Sequence, residues 1–467
     1  MRPPRFVSAV AAAWAAVAAA AACRDRPAAS PRAATHRAPA PAATAATSPG
    51  AAADGPLSWR RDDYAGALAE ARRRKLPLFV DLWAEWCHTC LSMKHTVLRD
   101  PSLAPYADRF VWLALDTDRP GNAPALAKLP VSVWPTLYVV RADDEAILAR
   151  HLGAASVRDL RALLDDALQA ADDGDAAALA RAGDRAAAAG DHATAAARYA
   201  EAIARAPADW PRRAPVLVAY LAELARAGDP GACVDLALAR AGDTGRTAAA
   251  ADFLDRAADC ADALPAGDPR RRQLATVAIA RLAALVADAD APLSVDDRAD
   301  AMRVLRGYAA RIGDAAAARR WAKRERALLD EAARTAGDPY LASTYNWPRL
   351  EVYMALDAVA ELVPDLEASA RALPHLYDPP YRLAQALHHL GRHDDALAAA
   401  ERALERVYGP RKANVLSLIA DIHEARGDRA AARAAVEALV AHWESLPDGQ
   451  RRPDRLAAAR KRLAELR

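Results

Sequence analysis

Charge of either sign is not in excess in this chain. Its 63 lysines and arginines face 61 aspartates and glutamates over 467 residues, so no net field draws it to nucleic acid or to anionic lipid. Long apolar runs are missing too. The best, Phe6 to Ala22, has about 17 weakly hydrophobic residues where a membrane span needs roughly 20. There is no phosphate-cradling loop, no Ser–His–Asp arrangement and no nucleic-acid motif. Nothing calls for a cofactor. Aromatic residues make up only 6% of the chain and alanine is abundant, a composition that favours helix. The length suits two or three domains, each with its own core.

The N-terminus has a targeting pattern. Arg2 and Arg5 precede the apolar stretch, and Arg24-Asp25-Arg26 closes it, which predicts a signal peptide over 1–22. The stretch ends Ala20-Ala21-Ala22-Cys23, similar to a bacterial lipobox but without leucine three places before the cysteine. Two readings follow: lipidation of Cys23, or ordinary cleavage after Ala22. Either exports the protein, and lipidation holds it at the periplasmic face of a bacterial membrane. Residues 23–56 are rich in Ala, Pro, Thr and Ser with no periodic apolar face, and are predicted to be a disordered tether.

Cysteine is scarce, at 5 residues, and its placement is informative. Leu78 to Leu82 is an apolar run broken only by Asp81 and predicts a short strand. It leads into Trp86-Cys87-His88-Thr89-Cys90, after which Leu91, Lys94, His95 and Leu98 give a helical pattern. Two cysteines separated by two residues at a helix start suit reversible dithiol chemistry. The first sulfur lies where unpaired backbone N–H groups stabilise a thiolate, and the second is one turn away. No second such pair or nearby histidine pair completes a metal set, so no metal is expected.

This stretch resembles thioredoxin-like proteins, most closely the C-terminal periplasmic domain of the thiol:disulfide interchange protein DsbD. The residues that carry the resemblance are Phe79-Val80-Asp81-Leu82, Trp86 before the first cysteine, and Val133-Trp134-Pro135-Thr136, which matches the cis-proline loop. The resemblance implies a thioredoxin-like α/β domain over 57–172. The pattern agrees: strand, helix, strand, helix, strand, strand, helix from Leu78 to Ala170, after a short lead-in at Trp59 and a helix to Lys75.

The chemistry then divides among named residues. Cys87, expected to be the more exposed sulfur, attacks a partner disulfide, and Cys90 resolves the mixed disulfide. Asp81, buried beneath Cys90, exchanges its proton. Trp86, Trp134 and Pro135 form the surface that meets substrate, with the Trp134 backbone edge free to pair with an extended peptide. His88, Thr89 and Lys94 modulate the pair. A charged His88 would make the disulfide more oxidising. Two departures from the resemblance stand out: Ala114 falls where thioredoxin has a lysine, and Lys94 where DsbD-like domains have a glutamate.

Beyond Asp175 the pattern turns helical. Glycine followed by a polar residue recurs at Gly190-Asp191, Gly228-Asp229, Gly313-Asp314, Gly391-Arg392 and Gly427-Asp428, near the ~34-residue period of tetratricopeptide repeats. Gly190 to Pro207, with Ala195, Tyr199 and Ala202, resembles that repeat. The expected architecture is an all-α solenoid over 175–467 with a concave face for a protein partner. Tyr340, Tyr345, Trp347, Tyr353, Tyr377 and Tyr381 are expected in its core, and His388, His389 and His393 at a polar hairpin tip. Cys233 and Cys260 fall at small-residue positions of neighbouring helices, where they form either a disulfide or two free buried cysteines.

The functional expectation is a periplasmic, membrane-tethered thiol-disulfide oxidoreductase. The resemblance to DsbD favours a disulfide reductase, with oxidase or isomerase as alternatives. It would act on protein disulfide and dithiol substrates, fed by an upstream electron donor such as a DsbD-like membrane protein, with its repeats recruiting a partner. The competing class is a repeat-based scaffold lipoprotein with an accessory redox domain.

Overall fold

The computed structural model describes residues 55–169 and 176–466. The predicted signal peptide, Cys23 and most of the tether lie outside them.

The N-terminal domain is built on a five-stranded sheet in the order β1-β3-β2-β4-β5. Its strands are β1 (Trp59–Arg61), β2 (Leu78–Trp83), β3 (Val111–Asp116), β4 (Thr136–Val140) and β5 (Ile147–Leu152). β2 lies between parallel β3 and antiparallel β4, and both of its faces are covered, which explains an apolar run interrupted only by Asp81. The lead-in at Trp59 is itself a strand, paired parallel to β3 at the sheet edge. The helices are α1 (Tyr64–Arg74), α2 (His88–His95), α3 (Ala123–Lys128) and α4 (Val157–Leu168). One apolar cluster, around Phe79, Trp112 and Leu163, fills one face of the sheet. Another, around Val80, Leu113 and Tyr138, fills the other.

The rest is all helical and folds as consecutive hairpins. They are α5 (Ala176–Ala188) with α6 (His192–Arg205), α7 (Arg213–Arg226) with α8 (Pro230–Arg240), and α9 (Ala248–Ala263) with α10 (Pro269–Ala287). Next come α11 (Val295–Arg311) with α12 (Ala315–Thr335), the short α13 (Pro339–Ser343), and α14 (Asn346–Ala355) with α15 (Val359–Ala372). The series ends with α16 (Asp378–His389) and α17 (His393–Leu404), α18 (Arg411–Ala425) and α19 (Arg429–Ser445), then α20 (Pro453–Glu465). The glycine–aspartate pairs make the turns. Gly190 takes φ of 79°, which costs glycine nothing, and Asp191 then caps α6 by accepting from Thr194 N. Asp229, Asp314 and Asp428 cap α8, α12 and α19 in the same way. Cys233 on α8 and Cys260 on α9 are joined in a disulfide.

The helices pack onto the chain's own sheet domain, and residues 53–467 form one compact unit. At β5, Arg150 is buried against Glu223 of α7 (2.8 Å) and Tyr199 of α6 (3.2 Å). Asp184 of α5 accepts from the Arg150 backbone N–H at 3.0 Å, and Arg212 donates to its carbonyl at 3.0 Å. The edge strand is thereby satisfied by side chains of the solenoid, which removes a hazard that sheet edges otherwise carry. Further along the chain, α9, α11, α16 and α18 meet the end of the sheet that carries the cysteines.

Candidate active site

β2 ends at Trp83, and the chain turns through Ala84 and Glu85 into α2, whose N-cap is Cys87. The Cys87 sulfur accepts from the Cys90 backbone N–H at 3.0 Å. The two sulfurs are bonded to each other, so this is the oxidised form. Trp83, Trp86 and Trp134 pack around the pair, the Trp86 and Trp134 rings lying 5.2 Å apart. The Trp134–Pro135 peptide is cis, and the Pro135 carbonyl accepts from Gly153 N at 2.9 Å.

Asp81 is 3% exposed. Burial raises its pKa, opposed by the positive charges of Lys94 and Arg61. The sheet register pairs Asp81 with Ala114 and Ala114 with Arg61, so Ala114 does stand where a lysine was sought. The cation comes from α2 instead. The Lys94 ammonium lies over the Trp83 ring, and burial lowers its pKa against the pull of Asp81. Lys94 was expected to act on Cys90. Its charge also acts on Asp81, lowering that carboxyl's pKa against burial, a relation that spacing along the chain could not reveal.

Cys87 was expected to be the more exposed sulfur of the pair. Cys87 is 3% exposed and Cys90 2%, so both are buried, and the helices pack onto residues on both sides of the pair. Trp86 joins an apolar cluster of the solenoid, with the Arg411 guanidinium 4.6 Å from its ring centre. Val133, beside the cis-proline loop, packs into another, and the Asp252 carboxylate sits where a Cβ on Gly153 would be. The Trp134 edge expected to receive a peptide is therefore flanked by the chain's own α9.

A third face of the site was missed altogether. His88 Nδ1 lies 2.8 Å from Asp296 Oδ1 on α11, and Ser92 donates to Ser294 at 3.2 Å. Thr89 lies next to this contact, with Oγ1 3.5 Å from His88 Nδ1. Below Trp86 is a set of buried acids. Trp86 Nε1 donates to Asp118 at 2.9 Å, Tyr377 O–H to Asp118 at 3.3 Å, and Tyr408 O–H to Asp116 at 2.5 Å. Glu85 accepts from Tyr377 N at 3.1 Å. Gly409 is the residue that permits this approach, since a Cβ there would lie 1.7 Å from the Asp118 carbonyl oxygen. Burial, with Asp378 adding, pushes the Glu85 pKa up to about 8. Burial and Asp116 push that of Asp118 up to about 7.

Tyr377, expected in the solenoid core, is there and also carries the contact with Asp118. Tyr353 and Tyr381 are core residues, Tyr345 and Trp347 pack against the same cluster, and Tyr340 meets His95 with ring centres 5.8 Å apart. His388 and His393 face each other at the α16–α17 turn, ring centres 5.3 Å apart. Among the described residues no group of three or more side chains could hold a metal, and no helix is long and apolar enough to cross a membrane.

Fold and site together define a thioredoxin-fold dithiol domain packed against tetratricopeptide-like hairpins. Comparison with known proteins agrees: residues 58–141 match the thioredoxin-like family and 379–445 the tetratricopeptide repeat. Thioredoxin C-3 of Corynebacterium nephridii is 34% identical over 114 residues, 24% of this chain and 72% of that protein. The chain belongs to the thioredoxin-like family. Among solved structures, a tetratricopeptide repeat protein from Parabacteroides merdae aligns with TM-score 0.40 at 12% identity, over 62% of this chain and 98% of its own. BtubC from P. vanneervenii aligns with TM-score 0.32 at 17% identity, over 42% and 82%.

Proposed function

We propose that this protein is an exported thiol-disulfide oxidoreductase, tethered to a bacterial membrane through Cys23, that works as a reductase of protein disulfides. The observation that supports it most is the Cys87–Cys90 pair at the start of α2, with a buried carboxylate, Asp81, of raised pKa on the strand that leads into it. The reduced Cys87 thiolate attacks a substrate disulfide, and one substrate sulfur leaves as a thiolate. Cys90 loses its proton toward Asp81 and attacks the mixed disulfide, which frees the second substrate sulfur and regenerates the Cys87–Cys90 bond. An upstream dithiol donor returns two electrons.

Both cysteines are buried and the helices pack onto Trp86 and Val133 beside them, so in this reading a protein substrate reaches the pair once the helices have moved aside. The repeats are thus placed to govern access as well as to engage a partner. Insulin reduction driven by dithiothreitol tests the chemistry: wild type should precipitate insulin and Cys87→Ser should not. Equal, background-level rates in both would favour the scaffold reading. Fractionation of the full chain tests location, and recovery in the cytosol overturns export.

A further inference from the structure

We infer that Asp296, on α11 of the helical region, is a positioning residue of the redox site that holds the His88 imidazole charged and oriented beside Cys87. The solenoid thereby helps to set the redox poise of the dithiol. The inference rests on reading Cys87–Cys90 as an exchanging pair.

His88 follows the N-cap cysteine directly, as the first residue of α2. Its Nδ1 lies 2.8 Å from Asp296 Oδ1, and the Asp296 side chain is only 1% exposed. The other carboxylate oxygen, Oδ2, has no hydrogen-bond partner, so His88 is the group that compensates this buried carboxylate. The geometry is fixed on both sides. Ser92 of α2 bonds Ser294, and Ser294 is locked as the N-cap of α11 by a reciprocal pair of hydrogen bonds with Asp297.

Burial works against a charged imidazole here. The Asp296 charge and hydrogen bond, with Asp300 adding and Arg303 opposing, outweigh it and raise the His88 pKa above its ordinary value. A cation next to Cys87 stabilises the thiolate of the reduced form and makes the disulfide a stronger oxidant. When the helices part, His88 loses Asp296 and the poise becomes more reducing.

The test is equilibration of the full chain with glutathione at pH 8, where two glutathione thiols supply two electrons and two protons to the Cys87–Cys90 bond and leave as glutathione disulfide. Asp296→Asn should lower the equilibrium constant for reduction of the pair about tenfold, or about 30 mV for a two-electron couple, and the His88 titration seen by NMR should move down. Asp296→Glu, which keeps the charge, should stay close to wild type. In a His88→Ala background the Asn substitution should have no further effect. An unchanged equilibrium with an unchanged His88 titration overturns the inference. So does a shift of opposite sign, or an equal shift with and without His88. A wild-type pair that never equilibrates with glutathione would instead overturn the oxidoreductase reading beneath it.

Discussion

Asp81 and Lys94 show what a single residue can and cannot reveal from its place in the chain. One carboxylate inside an apolar strand, six residues before a cysteine, was legible as a buried acid. Its cation was not, because it sits on the following helix and reaches the carboxylate through space. Removing that cation should matter in a definite direction. Lys94 and Arg61 both lower the Asp81 pKa against burial, so Lys94→Met should raise it and move the alkaline rise of the exchange rate to higher pH. Asp81→Asn keeps the shape but removes the proton acceptor, and should slow exchange by roughly ten- to a thousandfold. Stopped-flow rates of disulfide exchange between pH 6 and 9 check both. A rate profile identical to wild type in Asp81→Asn would leave that residue no part in proton transfer.

At the scale of elements, the sequence was clearest where burial forces a pattern. β2, β3 and β4 lie within the sheet and read as apolar runs, and the glycine–aspartate turns marked the hairpins. β1 was missed because two of its three residues, Arg60 and Arg61, are exposed, so nothing distinguishes it from a loop. The outer edge of β5 was missed for a different reason. Its partners are a carboxylate and a guanidinium from α5 and the start of α7, which no strand pattern encodes. That junction carries a stability prediction. Asp184 accepts from Arg150 N and from Tyr199 O–H at 2.7 Å. Asp184→Ala would leave the buried strand N–H and the Tyr199 O–H bare, while Arg150 and Arg212 keep Glu223 and Asp166. Leaving such buried donors unsatisfied costs about 1–3 kcal/mol each. The exposed pair Arg198–Glu201 on α6 serves as control, since Arg198→Ala should cost under about 1 kcal/mol. Urea unfolding of both variants makes the comparison. Equal, small losses would show that the β5 junction adds nothing to the coupling of the two regions.

For the whole molecule, the repeats and the dithiol could each be read from sequence, but not that one closes over the other. His88 and Asp296 are 208 residues apart, and no local pattern signals such a contact. The closure has a pH dependence that follows from the acids it buries. Glu85, Asp116 and Asp118 come from the sheet domain, and Asp378, Tyr377, Tyr408 and Arg411 face them from the helices. Burial is the leading cause of the raised pKa of each of the three sheet-domain acids, and Tyr377 and Tyr408 of the helical region pack directly onto them. A carboxyl group whose pKa is raised by docking holds a proton that it releases when the parts separate. The closed form therefore binds more protons than the open one. Linkage then favours closure at low pH and weakens it as pH rises through about 7, for Asp118, and about 8, for Glu85. Hydrogen exchange of α2 in the oxidised protein, corrected for intrinsic exchange at each pH, should show several-fold weaker protection at pH 8.5 than at pH 6. The double variant Glu85→Gln, Asp118→Asn, which cannot ionise at either position, should flatten that dependence. Equal protection of wild-type α2 at both pH values would show that these acids do not govern access to the dithiol.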